Sequence, residues 1–362
     1  MKALILGKGK SGTAAAALLK AQGYEVDFTD GYDCVVASPG LRTKSELQLG
    51  CEELKRRGWK LLAVTGSKGK SSVVKIVADA IGGVPCGNYG RPVTDLIHEK
   101  PGWAVVEVSS FQLETTALPP DTFEAAAILN LQEDHLDRHG SVEVYHGLKR
   151  KLLSFAARNF VNDGMSSEHR INRPSDHLWT GSYFDNEILA GNAAIAVDLM
   201  RVAGLDDAKI AAAFKAFEPL PHRMNLVAEI DGVRYVDDSK ATSLAALIAG
   251  VKMAGRSVRL IAGGLPKGDD PKTALSTLTE RVKKVYLIGQ SAEAFSAAWN
   301  GAVDCEICGT MERAVERAKR EAEKGETVLL SPGTASFDQF KSYGERGDVF
   351  ARLVKEKDNL NE

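Results

Sequence analysis

Thr65-Gly-Ser-Lys-Gly-Lys-Ser-Ser72 packs glycines, lysines and hydroxyl side chains into one short stretch, directly after the apolar run Lys60–Thr65 and ahead of the helical pattern Val73–Ile81. A strand, a glycine-rich turn and a helix N-terminus in that order aim backbone N–H groups at an anion. Gly66, Ser67, Gly69 and Ser72 form the cradle. Lys70 supplies a point charge for the β and γ phosphates of a nucleotide, and the Ser71 hydroxyl supplies a ligand for the Mg²⁺ that accompanies them. Val64 stands where the general G-x-x-x-x-G-K-[ST] pattern has its first glycine, so the loop is a variant of that pattern.

A second glycine-rich turn, Gly7-Lys-Gly-Lys-Ser-Gly12, fits G-x-G-x-x-G after the strand Lys2–Leu6, with Asp27 or Asp30 near the position of a ribose-binding acid. By itself it supports a nicotinamide site, a diphosphate site for another nucleotide, or close strand-to-helix packing without a ligand. Two further strand ends carry ionisable groups. Glu107 closes Trp103-Ala-Val-Val-Glu-Val108, and in an open parallel sheet the carboxyl ends of strands face the ligand crevice, so it can reach the same phosphates. Asn130-Leu-Gln-Glu-Asp-His-Leu-Asp137 follows another apolar strand and puts His135 at a second such end, with Lys149 about four helical turns later. On spacing alone His135 and Lys149 read as ordinary surface residues. Cys305-Glu-Ile-Cys308 has neither a second pair nor a nearby histidine and reads as plain strand.

The elements that must position these groups follow from the pattern around them. Short β-branched or Leu-rich runs alternate with longer helical patterns along 362 residues, which predicts an α/β protein of βα units around parallel sheets, in two or three domains. Residues 1–58 read as strand Lys2–Leu6, an Ala-rich helix Gly12–Gln22, strands Tyr24–Phe28 and Asp33–Ser38, and a charged helix Lys44–Gly58. Residues 59–219 carry strands Lys60–Thr65, Trp103–Val108 and Ala125–Leu131 and end in helix from Ile188 to about Phe217. Pro219-Leu-Pro221 interrupts helix and stiffens a connection. Residues 220–362 open with alternation around Asp231-Gly232, a hairpin signal, and continue through strands Val258–Ala262, Val285–Ile288 and Thr327–Ser331, a helix Glu312–Lys324 and a closing helix from about Asp338.

Composition removes several function classes. With 46 basic against 48 acidic residues the net charge is −2, so nothing draws the whole chain to nucleic acid or anionic lipid, and phosphate recognition has to be local. No stretch approaches the roughly 18 apolar residues of a membrane helix, and Met1–Gly7 is too short for a signal-peptide core, so the expected compartment is the cytoplasm. Five scattered cysteines do not read as a disulfide framework.

The motifs, taken in order, resemble the Mur ligases of peptidoglycan synthesis over most of the chain. The carriers are the loop Thr65–Ser72, Glu107-Val-Ser-Ser-Phe-Gln-Leu-Glu114, Glu133-Asp-His-Leu-Asp-Arg138, Gly191-Asn-Ala-Ala194, Leu220-Pro-His-Arg223, Asp238-Ser-Lys-Ala-Thr242 and Ser331-Pro-Gly-Thr-Ala-Ser-Phe-Asp-Gln-Phe340. The resemblance implies three domains: a small Rossmann-like N-terminal domain for a uridine diphosphate substrate, a central P-loop ATPase-like domain, and a C-terminal Rossmann-like domain for the amino acid. It implies an ATP-dependent amide ligase that joins D-glutamate to UDP-N-acetylmuramoyl-L-alanine through an acyl phosphate, acting as a monomer without nucleic acid or membrane. Carried over, Lys70, Lys149 and His135 are catalytic; Ser71, Glu107, His135 and Lys149 hold Mg²⁺ at two sites, Lys149 as a carbamate, because a carboxylate suits that hard ion better than an ammonium. Asn192, Arg223 and Asp238 join the loop in holding ATP. Lys240, Thr242, Lys267, Ser336 and Tyr343 fall at the amino-acid site, Tyr343 in place of an expected Phe. Gly9, Lys10, Ser11, Gly12 and Ser38 fall at the uridine diphosphate site, with Asn88 beside the acyl end. The chain departs from the resemblance between Phe28 and Asp33, where a βα segment is missing, and in the short stretch Phe160–Glu187. A related ligase with another acceptor or amino acid, or a non-catalytic nucleotide-sugar binder, would share the fold, but a binder would not need Ser71, Glu107, His135 and Lys149 together. A nicotinamide oxidoreductase leaves the Gly66–Ser71 loop unexplained.

Overall fold

The structure is a computed structural model that describes residues 2–29, 35–38, 41–162 and 176–356. It divides into two compact units, residues 1–185 with 189–217 and residues 218–362 with 186–188.

The first unit contains two sheets. β1 (Lys2–Leu6), α1 (Lys10–Ala21), β2 (Glu25–Thr29), β3 (Val35–Ser38) and β4 (Leu41–Ser45) give a sheet of order β2-β1-β3-β4, in which only β1 and β2 run parallel. The charged helix α2 (Glu46–Arg56) starts two residues later than its sequence pattern suggests, because the Ser45 hydroxyl accepts from the Gln48 N–H and so fixes the N-cap. β5 (Lys60–Thr65), α3 (Lys70–Ile81), β6 (Val84–Gly87), β7 (Trp103–Glu107), α4 (Ser110–Thr115), β8 (Ala125–Ile128), α5 (Leu136–His139), α6 (Val142–Lys151) and β9 (Asn159–Val161) follow, then α7 (Ala190–Val202) and α8 (Asp207–Ala216). These strands form a wholly parallel sheet of order β6-β7-β5-β8-β9. Helices cover it, so β5 is an unbroken apolar run buried from Leu61 to Thr65. The chain leaves β5 through α3 to β6 at one edge and leaves neighbouring β8 for β9 at the other, which makes the carboxyl ends of β5 and β8 a topological switch point where such sheets bind ligands. One continuous core joins Ile5, Leu18 and Leu19 below the first sheet to Leu54, Val93, Val106 and Phe123 around the second. The turn after β1 is therefore held at a set distance from the end of β7.

The second unit opens with the hairpin β10 (Asn225–Ile230) and β11 (Val233–Asp237). Asp231 (φ 52°) and Gly232 (φ 76°) both take the left-handed conformation that a two-residue turn needs to match strand twist. α9 (Leu244–Ala254), β12 (Val258–Gly263), α10 (Leu275–Arg281), β13 (Val282–Ile288), α11 (Ala292–Trp299), β14 (Asp304–Gly309), α12 (Met311–Glu321), β15 (Thr327–Leu330) and α13 (Tyr343–Lys355) complete a sheet of order β10-β11-β15-β12-β13-β14, parallel except for the hairpin. Successive strand residues feed opposite faces. Leu260, Leu287 and Leu329 pack with Leu247 and Trp299, while Ile261, Tyr286 and Leu330 pack with Met311 and Phe350. Cys305 and Cys308 lie in β14 as free thiols, as the plain-strand reading expects. The closing helix begins at Tyr343, not Asp338: Ser342 caps it by accepting from the Glu345 N–H, and Asp338 instead accepts from the Gln290 N–H.

Candidate active site

The loop between β5 and α3 is shaped by its own glycines. Gly66 has φ 151° and Gly69 φ 84°, and a Cβ at Gly69 would lie 2.1 Å from Asn192 Nδ2. Only glycine brings the helix start this close to α7. Asn130 clamps the loop from the end of β8: its Oδ1 accepts from the Lys68 N–H at 2.8 Å and its Nδ2 donates to the Lys68 carbonyl at 2.9 Å. Ser67 is tied inward, its N–H to the Asn130 carbonyl and its hydroxyl to the Gln132 backbone and to Tyr145. It shapes the loop with side chain and N–H both engaged inside the protein. The orphan N–H groups of the first turn of α3, from Lys70 through Ser72, are what remains for an anion. Lys70 folds back, donating to the carbonyls of Gly66 at 2.8 Å and Ser67 at 3.2 Å.

Around this loop the end of β7 delivers the acid, the segment after β8 the histidine and the last turn of α6 the lysine. Glu107 is buried; its Oε1 accepts from Asn88 Nδ2 at 2.7 Å, and its Oε2 is buried without a hydrogen-bond partner. Lys149, on the last turn of α6, is 1 % exposed and donates to the Gly66 carbonyl at 3.0 Å, with its Nζ 4.6 Å from the Tyr145 ring centre. Burial, reinforced by the nearby Lys70 charge, pushes its amine down to about 7. His135 caps α5 with φ 53°, a left-handed conformation that costs a non-glycine residue energy, and its ring stands edge-on to Phe111 at 5.0 Å and to Tyr145 at 6.2 Å. The structure thus brings Lys70, Glu107, His135 and Lys149 around one loop, and the ring of Tyr145 joins His135 to Lys149.

The Gly7–Gly12 turn faces the same region from the first sheet. A cleft of about 370 Å³ is lined by Gly9, Lys10, Ser11 and Gly12 on one side and by Asn88, Phe111 and Gln112 on the other. Gly12 permits it: a Cβ there would meet the Gly7 carbonyl oxygen at 2.0 Å. Asn88 therefore belongs to both places, the cleft wall and the Glu107 hydrogen bond. Ser38 ends β3 and its side chain, like Asp30, lies outside the described residues.

In the second unit Asp238 follows β11, buried, and accepts from the Ser331 hydroxyl at 2.9 Å; burial raises its carboxyl to about 7. The Arg223 N–H donates to Asn225 Oδ1 at 2.8 Å, and Arg223 is close enough to Asp238 to draw that carboxyl down against the effect of burial. Lys240 Nζ lies 3.8 Å over the ring of Tyr343. Thr242 sits in the same turn, half-buried, its N–H on the Lys240 carbonyl. Ser336 is buried in the loop that precedes α13, while Lys267 stands exposed in the loop after β12. Arg346 on α13 is fully buried and ties two of these loops together: it donates to the Ser239 hydroxyl and carbonyl and to the carbonyls of Thr334 and Ala335.

Comparison with known proteins adds an independent observation. Residues 91–180 match the Mur ligase middle domain and residues 222–333 the glutamate ligase domain of Mur ligases. UDP-N-acetylmuramoylalanine--D-glutamate ligase of Nitratidesulfovibrio vulgaris is 32 % identical, with 98 % of this chain and 96 % of the relative covered. The enzyme of the same name from Francisella philomiragia is 33 % identical over 90 % of this chain and 86 % of its own. The chain belongs to the Mur ligase family. Among solved structures, a MurF from Acinetobacter baumannii superposes with TM-score 0.63 at 15 % identity, covering 98 % of this chain and 90 % of that one. MurF ligase from Thermotoga maritima in complex with ADP gives 0.60 at 15 % identity over 85 % and 82 %. At that identity these two show the shared three-domain α/β fold. As a Mur ligase the chain is an ATP-dependent ligase.

The residues present fit a divalent cation beside the nucleotide. Among the described residues no three His, Cys, Asp or Glu side chains converge as a ready cage. What the Mur ligase does offer is the unpartnered, buried Oε2 of Glu107, the Ser71 hydroxyl at the helix start and a lysine amine shifted toward its neutral form. Such a donor set would be completed by phosphate oxygens. Sequence reading missed three groups here: Tyr145, the hub ring; Asn130, the loop clamp; and His139, buried against α4. Asn130 sits within a motif already in view, His139 directly follows one and Tyr145 precedes Lys149 by one helical turn, but the role of each comes from contacts between elements that spacing does not encode.

Proposed function

We propose that this Mur ligase joins D-glutamate to UDP-N-acetylmuramoyl-L-alanine while ATP becomes ADP and phosphate. The observation that carries this reading is that relatives named for that ligase align over 90 % and 98 % of the chain. Residues 1–58 are assigned to the nucleotide-sugar acceptor, 59–219 to ATP and 220–362 to the amino acid. The enzyme works as a monomer in the cytoplasm; its near-neutral charge supports the absence of nucleic-acid or lipid partners, and among the described residues no helix is long and apolar enough to cross a membrane.

A carboxylate resists an amine because its charge repels the nucleophile and oxide cannot leave. The acceptor carboxylate therefore attacks the γ-phosphorus in line, a P–O bond forms as the bond to ADP breaks, and the amine of glutamate then attacks the acyl carbon and expels phosphate. The first turn of α3 holds the triphosphate, and Lys70 exchanges its contacts with Gly66 and Ser67 for the phosphoryl oxygens, where charge builds. Ser71, Glu107, His135 and Lys149, as a carbamate, would hold Mg²⁺, which would supply charge neutralisation at those oxygens. Asn88 fixes the acyl end of the acceptor, whose diphosphate lies at the start of α1 along Gly9, Lys10, Ser11 and Gly12. Asn192, Arg223 and Asp238 contact ATP; Lys240, Thr242, Lys267, Ser336 and Tyr343 receive the amino acid, with Lys267 and Lys240 supplying charge for its carboxylates. Holding the amine near the acyl phosphate replaces on the order of 7 to 11 kcal/mol of barrier.

Phosphate release from ATP in the presence of UDP-N-acetylmuramoyl-L-alanine, compared among D-glutamate, L-glutamate and meso-diaminopimelate, tests the reading. Stimulation by D-glutamate alone is expected. Equal stimulation by L-glutamate, or none by any pair, overturns it.

A further inference from the structure

His135 is held where it is by very little of its own structure. α5 is a single turn of four residues, too short to be stable by itself, and it begins on the left-handed backbone of His135. Its position must be imposed from outside, and the contacts that impose it converge on α4. His139, the last residue of α5, is buried; its Nε2 lies 3.0 Å from the Ser110 hydroxyl and its Nδ1 3.1 Å from Glu114 Oε1. Arg138 grips the same carboxylate, Nε to Oε1 at 3.2 Å and Nη2 to Oε2 at 2.7 Å.

The chemistry of these contacts fixes proton positions. An ionised carboxylate only accepts, so Nδ1 of His139 carries the proton that faces Glu114. Nε2 is then an acceptor, and the Ser110 hydroxyl donates to it. The result is a carboxylate–imidazole–hydroxyl relay, but a hydroxyl 2 % exposed and absent from the lining of the cleft cannot meet a substrate carbonyl. A nucleophile is excluded; what remains is position. The backbone completes the link, since the His139 and Arg138 N–H groups both donate to the His135 carbonyl. On the side-chain side, Phe111 touches both histidine rings, at 5.0 Å to His135 and 5.3 Å to His139, and Tyr145 lies 5.5 Å from His139 and 6.2 Å from His135. Asp134 holds His135 from the loop side, its Oδ1 accepting from the His135 N–H at 3.1 Å and its Oδ2 from Lys68 at 3.2 Å, while the other groups around His135, namely Arg138, Phe111 and Tyr145, contact His139 or its partner Glu114.

We propose that Ser110, His139 and Glu114 form a brace whose work is to hold the His135 imidazole at the phosphate loop, so that His139 is a positioning residue for the metal-bound nucleotide. The inference rests on the metal–nucleotide reading above. It adds a second layer to that site: loss of His139 leaves the loop, Lys70 and Glu107 in place while freeing the turn that carries His135.

The test uses the full chain, ADP and Mn²⁺ as a spectroscopic substitute for Mg²⁺. Mn²⁺ affinity in the presence of saturating ADP is read by electron paramagnetic resonance, ADP affinity without metal by calorimetry, and amide exchange across residues 133–140 by mass spectrometry. His139→Ala is expected to weaken Mn²⁺ about tenfold, the usual effect of removing a group that orients a ligand, with metal-free ADP affinity unchanged within twofold and faster exchange confined to this turn. Ser110→Ala, a smaller change that keeps the fold if His139→Ala does not, is expected to give the same pattern at about threefold. His139→Asn, which restores a donor toward Glu114, is expected to recover part of the affinity. Unchanged Mn²⁺ affinity in the variants overturns the brace, and so does an equal loss of metal-free ADP binding, which marks general damage. A wild-type protein that binds ADP but no Mn²⁺ overturns the metal reading and the brace's purpose with it; phosphate release dependent on D-glutamate is scored separately, so failure there leaves the brace result standing.

Discussion

Lys149 donates to the Gly66 carbonyl at 3.0 Å, an ammonium buried against the loop that is to hold anions. The arrangement disfavours the charged amine, and its folded-state value of about 7 against 10.5 for an ordinary lysine sets a pH window. Below pH 7 both folded and unfolded chains carry the proton and the buried charge destabilises the fold in full. Between pH 7 and about 10 the unfolded chain keeps its proton while the folded one has lost it, so stability rises with pH. Urea unfolding of the nucleotide-free protein should show Lys149→Met more stable than wild type at pH 6.5, by on the order of a few kcal/mol, with the advantage shrinking by pH 9.5. A constant difference at both pH values refutes the burial account.

The same neutral amine can attack CO₂, forming a C–N bond and releasing a proton to give a carbamate. Under ¹³C-labelled bicarbonate the wild type should show a carbamate carbon resonance that Lys149→Ala lacks. Ligase activity of that variant should fall at least a hundredfold and be partly restored by a short-chain carboxylic acid. Full unaided activity would show that the residue is not needed.

Gly69 is required twice over, by its φ of 84° and by the Asn192 amide 2.1 Å from where a Cβ would sit. Gly69→Ala should weaken ADP at least tenfold by calorimetry. Adding Asn192→Ala removes the clash but keeps the backbone strain of roughly 1 kcal/mol and also removes the nucleotide contact proposed for Asn192, so the double variant should recover only part of the loss. Complete recovery would mean that backbone conformation has no part in the cradle.

How much of this was readable beforehand divides along a physical line. The phosphate loop was legible because strand, glycine turn and helix are local in sequence, and so were Glu107 and the Asp231-Gly232 hairpin. β6, by contrast, is four residues with a proline, Pro85, and exists as an edge strand only because β7 offers it a partner. The role of Ser67 was legible as loop chemistry, yet its hydroxyl is engaged by Gln132 and Tyr145, residues that the sheet order brings to it from beyond β8. Tyr145 and His139 were invisible as site residues for the same reason: their partners lie on other helices, and helical spacing records only what shares a face of one helix.

Gly12 gives a test that separates the two nucleotide sites proposed for the first unit. A methyl group there meets the Gly7 carbonyl oxygen at 2.0 Å, so Gly12→Ala must push α1 away from the turn and open the cleft. KM for UDP-N-acetylmuramoyl-L-alanine should rise tenfold or more while ADP affinity stays within twofold. A matched loss of both would place the two ligands on one shared surface.

Asp238 is expected to show the opposite pH sign from Lys149. Its carboxyl stands at about 7 when folded against 3.8 in an ordinary chain, so protonation stabilises the fold fully below pH 3.8 and the contribution is lost as pH rises through 7. Asp238→Asn keeps an acceptor for the Ser331 hydroxyl and carries no charge to bury. The second unit of this variant should therefore gain stability over wild type at pH 8 and not at pH 4, by thermal unfolding, while ATP-dependent activity falls. Equal shifts at both pH values would remove burial of the charge as the cause.

Arg346 joins the loop of Ser239 to the loop of Thr334 and Ala335 through four hydrogen bonds, all to uncharged acceptors. Burial alone lowers the guanidinium to about 10, against weaker support from Asp338 and Asp237. Lysine has three donors on a single nitrogen and cannot span both loops as the planar fork does. Since Lys240 follows one loop and Ser336 the other, Arg346→Lys should raise KM for D-glutamate tenfold or more and leave metal-free ADP affinity unchanged. A lowered Tm with an unaltered KM would reduce Arg346 to a stabilising residue, because the two loops would then hold their amino-acid geometry without it.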